Sequence, residues 1–173
     1  MEIFRFFSSG RGQGRIHGGG GVTGAVSLRA ATNADIDGIR ALTREAYGKW
    51  VPLIGREPLP MMADYAEAVR KHRIDLVEAE GELVALIEMV PGADHLLIEN
   101  IAVSPRHQGQ GIGRRLLAHA EQVGASLGVR DLRLYTNKRF AENVQLYLRN
   151  GYAIDREEPL KDGFLVHMSK RIE

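Results

Sequence analysis

The chain has 173 residues, 44% of them hydrophobic and 26% charged, and a formal net charge of +1. That size and apolar content suit one domain with a sizeable core, and the near-zero charge disfavours a dedicated nucleic-acid binder. The absence of cysteine excludes disulfides, a thiolate nucleophile and cysteine-ligated zinc. No apolar run reaches the roughly 18 residues of a membrane span. The composition therefore points to one soluble domain, most simply cytoplasmic, with no membrane or nucleic-acid partner.

Eight of the 20 glycines fall between Gly10 and Gly24, and the first 25 residues carry Arg5, Arg11 and Arg15 against Glu2 alone. The stretch MEIFRFF is too short for a secretory apolar region and contains an arginine. Residues 1–25 read as a flexible Gly-rich leader, with a mis-assigned start, a cloning scar or a transit-like segment as alternatives. The folded domain is expected over 26–173.

Val26 to Ala30 is predicted as the first strand. Thr32 and Asp35 make a capping box, followed by Ile36, Ile39, Leu42, Ala46 and Tyr47 at helical spacing. The tract VPLIGREPLP, with three prolines, is expected to break that helix. A second short helix, about Met61 to His72, carries Met62, Tyr65 and Val69 on one face. IDLVEAE and ELVALIEMV form a hairpin around Gly81, and HLLIENIAV is a third strand. Beyond Ser104-Pro105, a glycine loop runs into a helix with Ile112, Leu116, Ala120, Val123 and Leu127 on one side. DLRLYT, a helix around Phe140 to Asn150, and strands near 152–157 and 163–170 complete the chain. This order predicts a mixed sheet with helices on its faces.

The segment IAVSPRHQGQGIGRRLL carries the strongest chemical signal. A strand ends, Gly109, Gly111 and Gly113 follow, and a helix begins, so unpaired N–H groups at the helix start make an anion site. A P-loop would need Lys-Ser/Thr after its glycines, and here Arg114-Arg115 follow Gly113. A dinucleotide fold would need two residues between the second and third glycines, and only Ile112 stands there. Both nucleotide readings fail, which leaves another phosphate ligand or a turn that serves close packing.

VSPRHQGQGIGRRLL resembles the acyl-CoA loop of the GNAT acetyltransferase superfamily, whose pattern Gln108, Gly111 and Gly113 match. YTNKRFAENVQLYLRNGY is similar to that family's other CoA-contacting motif. In it Asn137 ends a strand, Asn143 lies on a helix, and Tyr147 follows one turn later. The resemblance covers roughly residues 26–171. It implies an α/β (α+β) GNAT fold, a mixed, mostly antiparallel sheet of six to seven strands flanked by about four helices. Gln108 departs where arginine is also common, which removes a charge and leaves the backbone donors. GREPLPMMADY is similar to one bacterial branch of the family and names no substrate.

The resemblance further implies acetyl-CoA as cosubstrate, without a metal. On the strand and loop it would contact Ile101, Ala102, Val103, Gln108, Gly109, Gln110 and Gly111. Beyond them it would meet Ile112, Gly113, Arg114, Asn137, Asn143 and Tyr147. The implied reaction moves acetyl to a primary amine of a small molecule, amino acid or peptide by direct attack in a ternary complex. A non-catalytic acyl-CoA-binding or sensing domain of the same fold is the alternative, and a homodimer stays open. The Val103 N–H would stabilise the thioester oxygen, and Tyr147 would protonate the departing thiolate; a packing role for Tyr147 beside Phe140 and Val144 is the competing reading.

Glu99 is the candidate base. On a regular strand it shares a face with Leu97, Ile101 and Val103, where burial would make a carboxylate a better proton acceptor. A salt-bridged or strand-edge glutamate is the other reading. His95, His107 and His119 are expected on the surface. For the amine acceptor, Trp50, Arg56, Met61, Met62, Asp64 and Tyr65 flank the proline tract, while Asp155, Glu157 and Glu158 precede Pro159. Solvated loops with ordinary charges would account for them equally well.

Overall fold

The computed structural model describes residues 26–173, so the expected leader over 1–25 lies outside the described residues. β1 (Val26–Ala30) leads into α1 (Ile36–Tyr47). Asp35 makes that junction: its carboxylate accepts the Thr32 backbone N–H at 2.7 Å and the Thr32 hydroxyl at 2.9 Å. The Arg29 guanidinium binds the same carboxylate and Glu78, and holds Asp35 well below the usual carboxylate range. The helix start is thereby tied to the first two strands.

The proline tract does not simply break the helix. After a 3-10 turn over Gly48–Trp50 it forms two single turns, α2 (Val51–Ile54) and α3 (Leu59–Met62). Pro52 and Pro60 sit in the first turn, where a missing N–H removes no helical bond. The helix expected over 61–72 is split, because Ala63 is extended and Asp64 starts a new one. The Asp64 Oδ1 accepts the N–H groups of Ala66 and Glu67 at 3.0 and 3.1 Å, which caps α4 (Tyr65–Lys71). With these two single turns set aside, the described residues carry the expected number of about four helices.

β2 (Arg73–Ala79) and β3 (Glu82–Pro91) join through Glu80 and Gly81, both at positive φ, as a tight hairpin demands. β4 (His95–Val103), α5 (Ile112–Ser126), β5 (Asp131–Asn137), α6 (Ala141–Arg149), β6 (Ala153–Leu160) and β7 (Gly163–Arg171) follow. The seven strands lie in the order β1-β2-β3-β4-β5-β7-β6. Every neighbouring pair is antiparallel except β4 and β5. One face packs α5 and Tyr147 against Leu96, Ile98, Leu132 and Met168; the other packs α1 to α4 against Leu76, Leu86 and Ala102.

Two irregularities of β4 shape the molecule. Glu88 pairs with Asn100 but Met89 pairs with Ile98, so Glu99 is an extra residue in a β-bulge. A bulge moves the alternation by one. Leu96 and Ile98 before it, and Ile101 and Val103 after it, all face the α5 core, whereas Ala102 faces the α1 side. The expectation that Glu99 shares a face with Ile101 and Val103 is thus corrected, and Glu99 is half-buried rather than buried in an apolar row. Second, the β4–β5 ladder ends at Ile98 and Leu134, beyond which the two parallel strands diverge.

Candidate active site

The divergence leaves backbone groups of β4 without a strand partner. The Ser104 N–H bonds the Val84 carbonyl, so Val103 and its opposite residue Ala85 form a non-bonded pair of the ladder. In such a pair the N–H and C=O turn away from the neighbouring strand. Those of Val103, and by the same alternation those of Ile101, therefore point into the β4–β5 opening. The Gln108 amide donates to the Val103 carbonyl at 2.9 Å, and the Tyr47 hydroxyl reaches the Ile101 carbonyl at 3.2 Å.

The opening continues into a cleft of about 340 Å³ between the glycine loop and α6. Gly109 and Gly111 have φ of 75° and 81°, conformations that favour glycine, and a Cβ at either would meet nothing within 4 Å. They expose the loop backbone directly to the cleft. The first intrahelical bond of α5 runs from the Arg115 N–H to the Gly111 carbonyl, leaving the earlier amides at the cleft wall without a helical partner among the described residues. A Cβ on Gly113 would come within 3.2 Å of Leu146 Cδ2, so its glycine lets α5 and α6 approach closely.

Tyr147, 7% exposed, reaches this cleft from α6 and packs edge-on to Tyr152 with ring centroids 6.1 Å apart. Burial pushes its hydroxyl up to about 12, which keeps the proton in place at neutral pH. Lys49 crosses the cleft mouth, with its ammonium 3.1 Å from Gln108 Oε1 and 2.5 Å from Glu142 Oε2.

Two further cavities flank Glu99, one of about 60 Å³ and one of about 420 Å³, with Leu59, Pro60, Glu99 and Tyr135 common to both. The Glu99 carboxylate accepts the Tyr135 hydroxyl. In the larger cavity the buried Glu88 lies 2.5 Å from His72 Nδ1, and burial raises its carboxyl above the ordinary range. Asn100 links the two sides: its Oδ1 accepts the Tyr47 hydroxyl at 2.8 Å, and its Nδ2 lies 3.2 Å from the Tyr65 oxygen. The Tyr65 hydroxyl donates to the Pro60 carbonyl at 2.7 Å.

The cleft gathers most residues expected on the cofactor: Ile101, Val103, Gln108, Gly109 and Gly111, then Ile112, Gly113, Arg114, Asn143 and Tyr147. Three fall elsewhere. Ala102 turns its side chain into the opposite core, because it alternates with Ile101 and Val103 along the strand. Gln110 is exposed and donates to the Arg106 carbonyl. Asn137 is buried, accepts the Arg139 N–H in the turn before α6, and lines the small cavity.

The acceptor candidates divide as well. Trp50 lines the cleft beside the glycine loop, stacked on Phe140 at 4.6 Å. Met61 is buried in the α1-side core, and Met62 is exposed. Arg56 lines the small cavity and pairs with Asp162 at 3.1 Å; Asp64 and Tyr65 line the large one. Asp155, Glu157 and Glu158 are exposed on β6, bonded to Ser169, Lys138 and His167. Of the histidines, His107 lines the cleft with a buried Nδ1 that has no partner among the described residues. His119 binds the buried Asp75 at 2.7 Å.

Sequence reading missed Tyr47, Lys49, Tyr135 and the Glu88–His72 pair. Glu88 alone carried a visible signal, a carboxylate inside the apolar run ELVALIEMV. Among the described residues no group of three or more His, Cys, Asp or Glu is placed to hold a metal, and no helix is long and apolar enough to cross a membrane.

Comparison with known proteins agrees with this geometry. The profile of the Acetyltransferase (GNAT) family matches residues 37–152. The chain is 35% identical over 79 residues to a streptothricin acetyltransferase of Streptomyces lavendulae. That stretch is 44% of this chain and spans only 42% of the relative's length. The PaiA N-acetyltransferase of Thermoplasma acidophilum, solved in complex with coenzyme A, superposes with a TM-score of 0.74 at 18% identity, over 85% of this chain and 99% of that one. The ribosomal-protein-S18-alanine N-acetyltransferase of Escherichia coli gives 0.70 at 21%, over 85% and 94%. The two solved structures share the fold, and the family profile, which spans well over half of the chain, settles its descent: the chain belongs to the GNAT acetyltransferase family.

Proposed function

We propose that the protein is an acetyl-CoA-dependent N-acetyltransferase acting on a primary amine of a small molecule, amino acid or peptide. The observation that carries this reading is the continuous path from the free amides at the start of α5 to the outward-facing backbone of Ile101 and Val103. In this reading the cofactor's diphosphate lies on the loop from Gln108 to Arg114, and its pantetheine arm extends along β4. The thioester then meets the Val103 N–H, a donor for the charge that builds on oxygen during attack.

A lysine-like amine with a pKa near ~10.4 is mostly ammonium at neutral pH and must lose a proton before it attacks. Glu99 serves as base, directly or through water, from cavities large enough for a small acceptor. Tyr147 returns a proton to the departing CoA thiolate. The nitrogen gains the acetyl carbon and the carbon–sulfur bond breaks; nitrogen loses one proton to Glu99 before attack and a second after it, the second restoring the proton that Tyr147 gave to sulfur, so that the products are amide, CoA thiol and one proton passed from Glu99 to water. Carboxylates of Glu99, Glu88 and Asp64 on the acceptor side favour a cationic substrate. Acetyl-CoA incubated with a library of primary amines should release free thiol with at least one of them. Calorimetric binding of acetyl-CoA with no thiol release across the library would instead establish the sensing alternative.

A further inference from the structure

Lys49 belongs to the turn that follows α1, 59 residues before Gln108 and 93 before Glu142, yet its ammonium touches both. These two partners stand on opposite walls of the cleft, one on the glycine loop and one on the first turn of α6. A ligand running through the cleft must disturb at least one contact. The ammonium also lies 4.6 Å from the centre of the Trp50 ring, and that ring stacks on Phe140, so the lysine stands on a fixed aromatic base.

Neither partner suits an anion by itself. The Gln108 side chain is neutral and fully engaged, with Nε2 on the Val103 carbonyl and Oε1 facing Lys49. Glu142 would repel a diphosphate if left uncompensated. The Lys49–Glu142 pair is solvated, with side chains 37% and 70% exposed, so it adds little stability and exchanges readily. Arg114, Arg149 and His107 line the same cleft. Lys49 differs from them in spanning it.

We propose that Lys49 is a cofactor-binding residue whose ammonium leaves Glu142 for the diphosphate of bound CoA, supplying the positive charge that Gln108 lacks. This rests on the cofactor reading above. Binding replaces a solvated carboxylate partner by a diphosphate held against backbone donors, a stronger charge-assisted contact. Glu142 keeps the lysine extended across the cleft until the cofactor arrives.

The test is calorimetry at low salt with CoA, 3′-dephospho-CoA and pantetheine, on the full chain and on variants with unchanged thermal midpoints. Lys49→Gln should weaken CoA and 3′-dephospho-CoA alike by about tenfold and leave pantetheine, which lacks the diphosphate, unaffected. Glu142→Gln should tighten CoA, and the double variant should bind more weakly than Glu142→Gln alone. Wild-type affinity in Lys49→Gln overturns the proposal. So does a loss shared by pantetheine, or one absent with 3′-dephospho-CoA, which would move the contact to the 3′-phosphate. A double variant equal to Glu142→Gln reduces Lys49 to a neutraliser of Glu142 and overturns it too. If wild-type protein binds no CoA, the cofactor reading itself fails; if it binds CoA and only the variants disagree, this inference alone falls.

Discussion

Tyr135 on β5 donates its hydroxyl to the Glu99 carboxylate on β4, across the point where the two strands part. The bulge at Glu99 makes this possible, because it takes the carboxylate off the face of Ile101 and Val103 and leaves it beside the two cavities. The tyrosine fixes one carboxylate oxygen and leaves the other for a proton.

Removing either partner should separate chemistry from cofactor binding. Glu99→Gln keeps the shape and removes the carboxylate that accepts the amine proton, so kcat should fall by about 10²–10⁴ while acetyl-CoA affinity holds. Tyr135→Phe should lower kcat less, since the carboxylate survives without its anchor. A Glu99→Gln variant with the wild-type kcat would place the base elsewhere.

Tyr147→Phe keeps the ring packed against Tyr152 and removes only the hydroxyl. Acetyl-CoA affinity should barely change, while kcat drops by about 10²–10⁴, the usual contribution of a positioned acid. With the hydroxyl raised to about 12, wild-type activity should show no loss from Tyr147 ionisation up to pH 10. Steady-state kinetics over pH 6–10 check both, and unchanged turnover in Tyr147→Phe would reduce this residue to packing.

Gly111 discriminates strain from charge. Gly111→Ala meets open space but must hold φ near 81°, so it should cost about 1 kcal/mol in stability. Gly111→Asp adds a negative charge at the expected diphosphate position, and CoA binding should be lost while the fold persists. Thermal melts and calorimetry on the two variants separate these effects; Gly111→Asp binding CoA like wild type would show the site to be misplaced.

The Asp75 carboxyl makes stability depend on pH. Burial alone would raise it, but the bonds from His119 at 2.7 Å and Arg73 at 2.9 Å prevail and hold it below the ordinary carboxylate range. A lowered folded value means that this contribution is complete above the unfolded value near ~3.9 and disappears as pH falls through the folded one. Asp75→Asn should therefore destabilise by about 1–3 kcal/mol at pH 7, with the gap to wild type narrowing in strong acid. Denaturant titrations at several pH values measure it, and a gap independent of pH would contradict the assignment.

Local pattern was enough for much of this protein. The period of Ile112, Leu116, Ala120 and Val123 marks α5, and the glycines before it mark the turn that lines the cleft. Both are legible because helix amphipathicity and positive φ leave a direct trace in residue type. The β2–β3 hairpin is legible at Gly81 for the same reason. The bulge at Glu99 is not, since an inserted strand residue is defined only against its neighbour, and Met89 and Ile98 meet through pairing between separate segments. That one register shift separates Glu99 from the face of Ile101 and Val103 and leaves it beside Tyr135. Asn137 ends β5 opposite Leu165 as the sequence suggests, but its side chain accepts the Arg139 N–H of the following turn, a contact that no local pattern encodes. Lys49 acquires its partners only when α1, the glycine loop and α6 converge, and no local periodicity encodes contacts across 59 and 93 residues. Residue pattern alone determined the strands, the long helices and the glycine loop; the turns of the proline tract, the faces of β4, the opening beside β5 and the charges around it were decided by tertiary packing, because register and long-range approach are properties of paired segments rather than of any one of them.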